Sequence, residues 1–199
     1  MYLSLRIQKK LHTKLWSRYR GTMFMCPAFG ADRPPDWICK LMKFSVFYLV
    51  NPDSLMPTWL SKGATIPAEN LFASPVLRAI TQVDRWDGVN DKYLAWGRPM
   101  RWATASAIVN CMLELGEKTK EFKMPFMILH DEEDMITHFS GSETFFNNVT
   151  SQEKDLIRVP GGRHEMFANY PEFIESETQK FMKKRLNMPV DLSRYADYD

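Results

Sequence analysis

Two stretches of this chain put an acid and a histidine where each could serve the other. An apolar run, Met124–Leu129, ends in His130-Asp131-Glu132-Glu133-Asp134. A second run, Asp155–Val159, leads into Pro160-Gly161-Gly162-Arg163-His164. Read as neighbouring parallel strands, the runs carry both polar clusters to the carboxyl ends of a sheet, where α/β sheets gather their functional groups. A carboxylate there fixes the tautomer of a nearby imidazole and stabilises the imidazolium formed during proton transfer. An acid and a histidine brought together from two such strand ends are the base half of a serine–histidine–aspartate relay. The glycines before His164 let its loop turn back over the sheet edge.

Plainer roles compete for each of these residues. Asp134 could close a turn, and His164 could be a loop histidine satisfied by hydrogen bonds. His130, at a strand end, reads as structural rather than catalytic. His130, Glu133, Asp134 and His138 could be drawn together as metal ligands, but their spacing follows no zinc signature and an acid-rich turn explains it. The expectation is therefore no metal. Ser140 and Ser142 flank Gly141 at the start of a helix and read as N-capping residues. Cys26, Cys39 and Cys111 are odd in number and form no CxxC pair, so they read as small core residues in a reducing compartment.

The elements that must position these groups follow from hydrophobic period. Leu3, Ile7, Leu11 and Leu15 mark a helix that Gly21 ends, and Thr22–Cys26 is a short apolar strand stopped by Pro27. From Phe29 to about Leu115 the chain is helical and proline-punctuated. Pro34-Pro35-Asp36 opens a helix whose residues Trp37, Ile38, Leu41, Met42, Phe44, Phe47, Tyr48 and Leu49 are too apolar for one buried stripe. Trp102–Leu115 is a second helix, carrying Ala103, Ala107, Ile108, Cys111 and Leu115. Beyond it, the strand Met124–Leu129, the helix Phe139–Val149, the strand Asp155–Val159 and a helix opened by Pro171 alternate as a parallel α/β sheet requires. That last helix carries Phe173, Ile174, Phe181, Met182 and Leu186. The polar tail after Asn187 is expected to fray.

Composition narrows the function. A net charge of +2 from 26 basic and 24 acidic residues leaves no basic surplus for nucleic acid. Glycine, at 9 of 199 residues, offers little for a phosphate-cradling loop. The longest apolar runs fall far short of the roughly 20 residues that span a bilayer. Arg6, Lys9 and Lys10 break the amino-terminal apolar stretch, so it does not read as a signal peptide. Thirteen methionines and 13% aromatic residues suit adaptable apolar surfaces.

Pro125-Phe-Met-Ile-Leu-His-Asp-Glu-Glu-Asp134-Met-Ile resembles the strand-and-acid segment of α/β-hydrolases, written PxLxxHGxxDxxV, and Val159-Pro-Gly-Gly-Arg-His164-Glu resembles their histidine loop. Asp91–Arg101 with Thr104 is similar to the cap-to-core return of monoacylglycerol lipases and lysophospholipases, the serine aminopeptidase S33-type hydrolases. Thr22-Met-Phe-Met-Cys-Pro-Ala-Phe resembles the strand after their nucleophile helix. The resemblance implies the carboxyl-terminal part of an α/β-hydrolase with an inserted helical cap. It divides the chain into core at 1–28, cap at 29–115, core carrying the acid and histidine at 116–186, and tail at 187–199. It assigns Asp134 and His164 to catalysis, and Trp37, Leu41, Phe44 and Tyr48 of the cap to substrate or lipid contact. It implies a small lipid ester as substrate, no cofactor, and a cytoplasmic protein that could touch a membrane through its cap.

One requirement of that family is unmet. The nucleophile serine belongs in G-x-S-x-G on a strand-to-helix turn, ahead of the acid and histidine. No such motif occurs in this sequence, nor does an HG-type oxyanion loop. Ser4 lies within the helical repeat rather than on a turn and is no substitute. Against the family pattern Met1 falls just inside the helix after the elbow, so the nucleophile and the early strands are expected upstream of residue 1. The chain alone is thus expected to be inactive. Two other readings stand beside it: a non-catalytic hydrolase-like protein that binds lipid or a partner, and a gene fragment that never folds alone.

Overall fold

The computed structural model describes residues 19–29, 35, 37–41, 49–57, 67–83 and 99–186. Its centre is a parallel three-stranded sheet in the order β1 (Thr22–Met25), β2 (Phe126–His130), β3 (Lys154–Arg158). Thr22 pairs with Phe126 and Met25 with Leu129, while on the other side Phe126 pairs with Lys154 and His130 with Arg158. The strand β2 is buried along its whole length. A parallel strand covered on both faces needs a continuous apolar run rather than an alternating one, which Phe-Met-Ile-Leu supplies.

Successive residues of β2 feed two separate cores, because side chains alternate across a strand. Phe126 and Ile128 pack with Phe24, Phe122, Met124, Phe145 and Val149 on one face. Met127 and Leu129 pack with Cys26, Val159, Met166, Ile174 and Phe181 on the other. The first face is an aromatic nest in which Phe24, Phe122, Phe126 and Phe145 meet at centroid distances between 5.4 and 6.1 Å, several edge to face.

The helices cover these faces. Among the described elements, α1 (Ala68–Leu71) and α2 (Pro75–Val83) belong to the proline-rich region, and α3 (Trp102–Lys118) leads through a short 3-10 turn toward β2. Helix α4 (Phe139–Asn148) links β2 to β3 and places Phe145 in the aromatic nest. Helix α5 (Met166–Asn169) and α6 (Pro171–Leu186) cover the opposite face through Met166, Ile174 and Phe181.

Several sequence expectations need adjusting. The strands begin or end a residue or two from their apolar runs, since hydrogen-bond register rather than hydropathy sets their limits. In α3 the buried positions are Ala105 and Ser106, while Ala103, Ala107 and Ile108 are exposed, so the inward stripe is offset from the one the apolar spacing marks. In α6 Ile174 and Phe181, two turns apart, form the buried stripe, whereas Phe173, Met182 and Leu186 lie off it and are exposed. Cys26 and Cys39 are buried, but Cys111 is only half-buried. Residues 37–41 are helical, as the Pro-Pro-Asp start suggests. The first helix, Phe44, Tyr48 and the tail lie outside the described residues.

Candidate active site

The carboxyl ends of all three strands converge on one cluster. Asp134 lies four residues past β2, in a turn closed by its own amide donating to the Asp131 carbonyl at 3.2 Å. Its Oδ1 accepts from the amides of Ile136 at 2.7 Å and Thr137 at 3.1 Å. Its Oδ2 accepts from His164 Nδ1 at 2.9 Å. The sequence-predicted pair is therefore in direct contact, with Asp134 fully enclosed and the His164 side chain 24% exposed.

Burial by itself would raise the Asp134 carboxyl. Hydrogen bonds from His130, His164 and the two turn amides outweigh that penalty and hold it far below the usual carboxylate range. The carboxylate stays charged, and the charge keeps a proton on the facing nitrogen of His164. The other ring nitrogen, Nε2, is then the one able to take a proton from a nucleophile.

The two glycines before His164 suit a crowded turn. Gly161 has φ +75°, and a Cβ there would lie 3.1 Å from Tyr170 Oη. A Cβ on Gly162 would sit 3.0 Å from the Val159 carbonyl oxygen, while the Gly162 amide donates to that same oxygen at 2.9 Å. The tight turn lifts His164 off the end of β3 and back over Asp134.

Four residues that sequence reasoning did not assign to the site hold it together. Asp131, buried, accepts from the Arg163 amide at 2.8 Å and the Glu133 amide at 3.1 Å, tying the acid turn to the histidine loop. Thr137 Oγ1 lies 3.0 Å from Asp134 Oδ2, 3.0 Å from the Cys26 carbonyl and 3.3 Å from His164 Nδ1. Its single hydrogen goes to one of the two oxygens, so toward His164 the hydroxyl can only accept. Asn169 donates from Nδ2 to the carbonyls of Leu71 at 2.9 Å and Gly162 at 2.6 Å, and its Oδ1 accepts from the Ala73 amide at 2.7 Å. Cys26 closes the floor, its thiol donating to the Arg163 carbonyl at 3.4 Å. The sequence does signal two of these: Asp131 stands where the hydrolase pattern has glycine, and Thr137 where it has valine.

His130 has the structural part expected of it. Its Nε2–H donates to the Thr137 carbonyl at 2.8 Å, so its Nδ1 accepts from Ser142 Oγ at 2.7 Å. Ser142 is therefore no N-cap. It is buried on the inner face of α4, and no side chain caps that helix. Both ring nitrogens of His130 are engaged in this way, which leaves it none to offer a metal with Glu133 and His138.

The family model for serine aminopeptidase, S33, matches residues 7–171, well over half of the chain. This chain belongs to the serine aminopeptidase S33 family. Comparison with curated proteins by sequence finds no match. Among solved structures, this S33 chain is similar to a monoacylglycerol lipase from Paleococcus ferrophilus, with a TM-score of 0.62 and 16% identity over 85% of the present chain and 64% of the other. It is also similar to a soluble variant of the monoglyceride lipase of Saccharomyces cerevisiae in complex with a substrate analog, with a TM-score of 0.60 and 16% identity over 91% and 61%. Both likenesses show the α/β-hydrolase fold, and the S33 chain spans less than two thirds of the length of each.

Proposed function

We propose that Asp134 and His164 are the acid and base of a carboxylic-ester hydrolase acting on small lipid esters, in the manner of monoacylglycerol lipases and lysophospholipases. The observation that carries this reading is the 2.9 Å contact between a buried, charged Asp134 and a partly exposed His164 at the carboxyl ends of neighbouring parallel strands. A serine outside this sequence attacks the ester carbonyl. His164 serves first as general base and then as general acid, and Asp134 orients it.

The region 29–115 acts as the cap in this reading. Trp37 and Leu41 are 67% and 58% exposed, with Cys39 between them buried, so this helical turn presents an apolar edge outward. That edge suits contact with acyl chains or a lipid surface, and Phe44 and Tyr48 are assigned to the same role. Among the described residues no helix is long and apolar enough to cross a membrane, and the reading places the protein in the cytoplasm with any membrane contact made through the cap. A second reading, a non-catalytic member that binds lipid or a partner, is favoured by one observation: the sequence has no G-x-S-x-G.

One test checks the absence of a nucleophile in this chain, and a second separates the two readings. Incubating the purified chain with a fluorophosphonate should label no serine, because Asp134 and His164 have no nucleophile to activate. Stoichiometric labelling of a serine in this chain would defeat the assignment. Codons in frame before Met1 should encode G-x-S-x-G, and the longer product should hydrolyse monoacylglycerol until His164→Ala abolishes turnover. In-frame stop codons there would favour the binding protein.

A further inference from the structure

A third side chain completes the cluster. One ligand atom each from Cys26, Asp134 and His164 lies within 4.8 Å of the others, with Cys26 and Asp134 buried. The three come from three separate strand ends. Cys26 sits just past β1 with a left-handed backbone (φ +40°), yet its amide still continues the ladder by donating to the Leu129 carbonyl at 3.0 Å.

We propose that Cys26, Asp134 and His164 form a binding site for a divalent zinc-like cation. A thiolate, an imidazole and a carboxylate are a donor set for zinc, whereas magnesium and calcium prefer oxygen alone. Ligand bonds of about 2.0–2.3 Å in tetrahedral geometry put donor atoms roughly 3.3–3.6 Å apart. Reaching that spacing needs a modest inward swing of the thiol and a slight opening of the 2.9 Å pair. Thiolate and carboxylate together neutralise the dication, so the ion enters the interior as part of a neutral unit. Three protein donors leave a fourth position for water, reached from the partly exposed side of His164.

Proton bookkeeping follows from the resting state. The metal takes the thiolate, so binding expels the Cys26 thiol proton to solvent. The ion takes the Nδ1 lone pair of a neutral His164, and the hydrogen on Nδ1 is replaced by one on Nε2. One proton is released per ion bound. With its proton on Nε2 and the ion on Nδ1, His164 cannot act as a base. Binding therefore stands on the three side chains alone, while its inhibitory consequence rests on the proposed hydrolase function.

Cobalt(II) titration of the purified full chain tests binding without any assay of activity. The expected result is one cobalt per chain, a thiolate-to-metal charge-transfer band, displacement of cobalt by zinc, and release of about one proton. The decisive protein is Cys39→Ser with Cys111→Ser, in which Cys26 is the remaining thiol: the band should persist there. Cys26→Ser should abolish it, and His164→Gln should weaken cobalt binding at least tenfold. No band in the double variant, or an undiminished band in Cys26→Ser, overturns the site. Failure here with an active longer product would leave the ester-hydrolase reading standing.

Discussion

At the scale of single residues, this site is two buried titratable groups pushed in opposite directions by one enclosure. Asp134 is held low by the hydrogen bonds it accepts, so it stabilises the fold above the unfolded carboxyl value near pH 4 and loses that contribution as pH falls further. Cys26 is held high by burial and by the Asp134 charge, with Asp131 adding to it and an Asp131 backbone hydrogen bond opposing. Its contribution is complete below the unfolded thiol value, about pH 8.5, and drains away as pH rises beyond it. Over that range the unfolded thiol is ionised and the folded one is not, which costs about 1.4 kcal/mol per pH unit. Urea unfolding of wild type should therefore weaken between pH 9 and 10.5 more steeply than that of Cys26→Ala. Parallel curves would show that the thiol does not sense its surroundings in this way. The acid limb has its own check: Asp134→Asn should be less stable than wild type at pH 7, and the gap should narrow in strong acid.

At the scale of elements, the chain wrote some features plainly and hid others. The β2 run, the Gly-Gly turn and the acid–histidine pair were legible because each depends on local residue types: continuous apolarity, backbone freedom, and paired proton chemistry. The inward faces of α3 and α6 were not, since several apolar residues competed for one narrow stripe and packing chose among them. Ser142 was misread for a related reason. A serine near a helix start looks like a cap until the histidine 12 residues earlier is seen to turn toward it. Asn169 was invisible as well, because its partners Leu71 and Ala73 are distant in sequence and are bound through their backbones. It joins the proline-rich region to the histidine loop, where His164 and Glu165 amides also donate to the Asn70 and Leu71 carbonyls at 3.3 and 3.2 Å. Asn169→Ala removes three hydrogen bonds, and at about 1 kcal/mol each it should cost roughly 2–3 kcal/mol. Hydrogen exchange should then quicken at Ala73 and across residues 161–165. An unchanged exchange pattern would mean the clamp is redundant.

At the scale of the whole molecule, apolar surface is spent unevenly. The two cores on β2 are closed, while Trp37, Leu41 and Leu49 stand outward, Leu49 at 78% exposure. In the proposed cap, outward apolar side chains of this kind would suit contact with lipid. Liposome flotation of the purified chain should therefore show binding that Trp37→Asp with Leu41→Asp removes, and a chain that never floats would sink the idea. The sheet itself carries a different consequence, one of timing. Strands β2 and β3 are joined by a single helix, whereas β1 must find β2 across the entire proline-rich region. Closing that longer loop costs about 1 kcal/mol more entropy by loop-length scaling, and distant pairings are made late. The β2–α4–β3 unit, with Asp134 already in its turn, is thus the natural nucleus, and Cys26 arrives last with β1. Truncating Phe24 would then hasten unfolding far more than it slows refolding, leaving a transition state in which the floor of the site has yet to be laid.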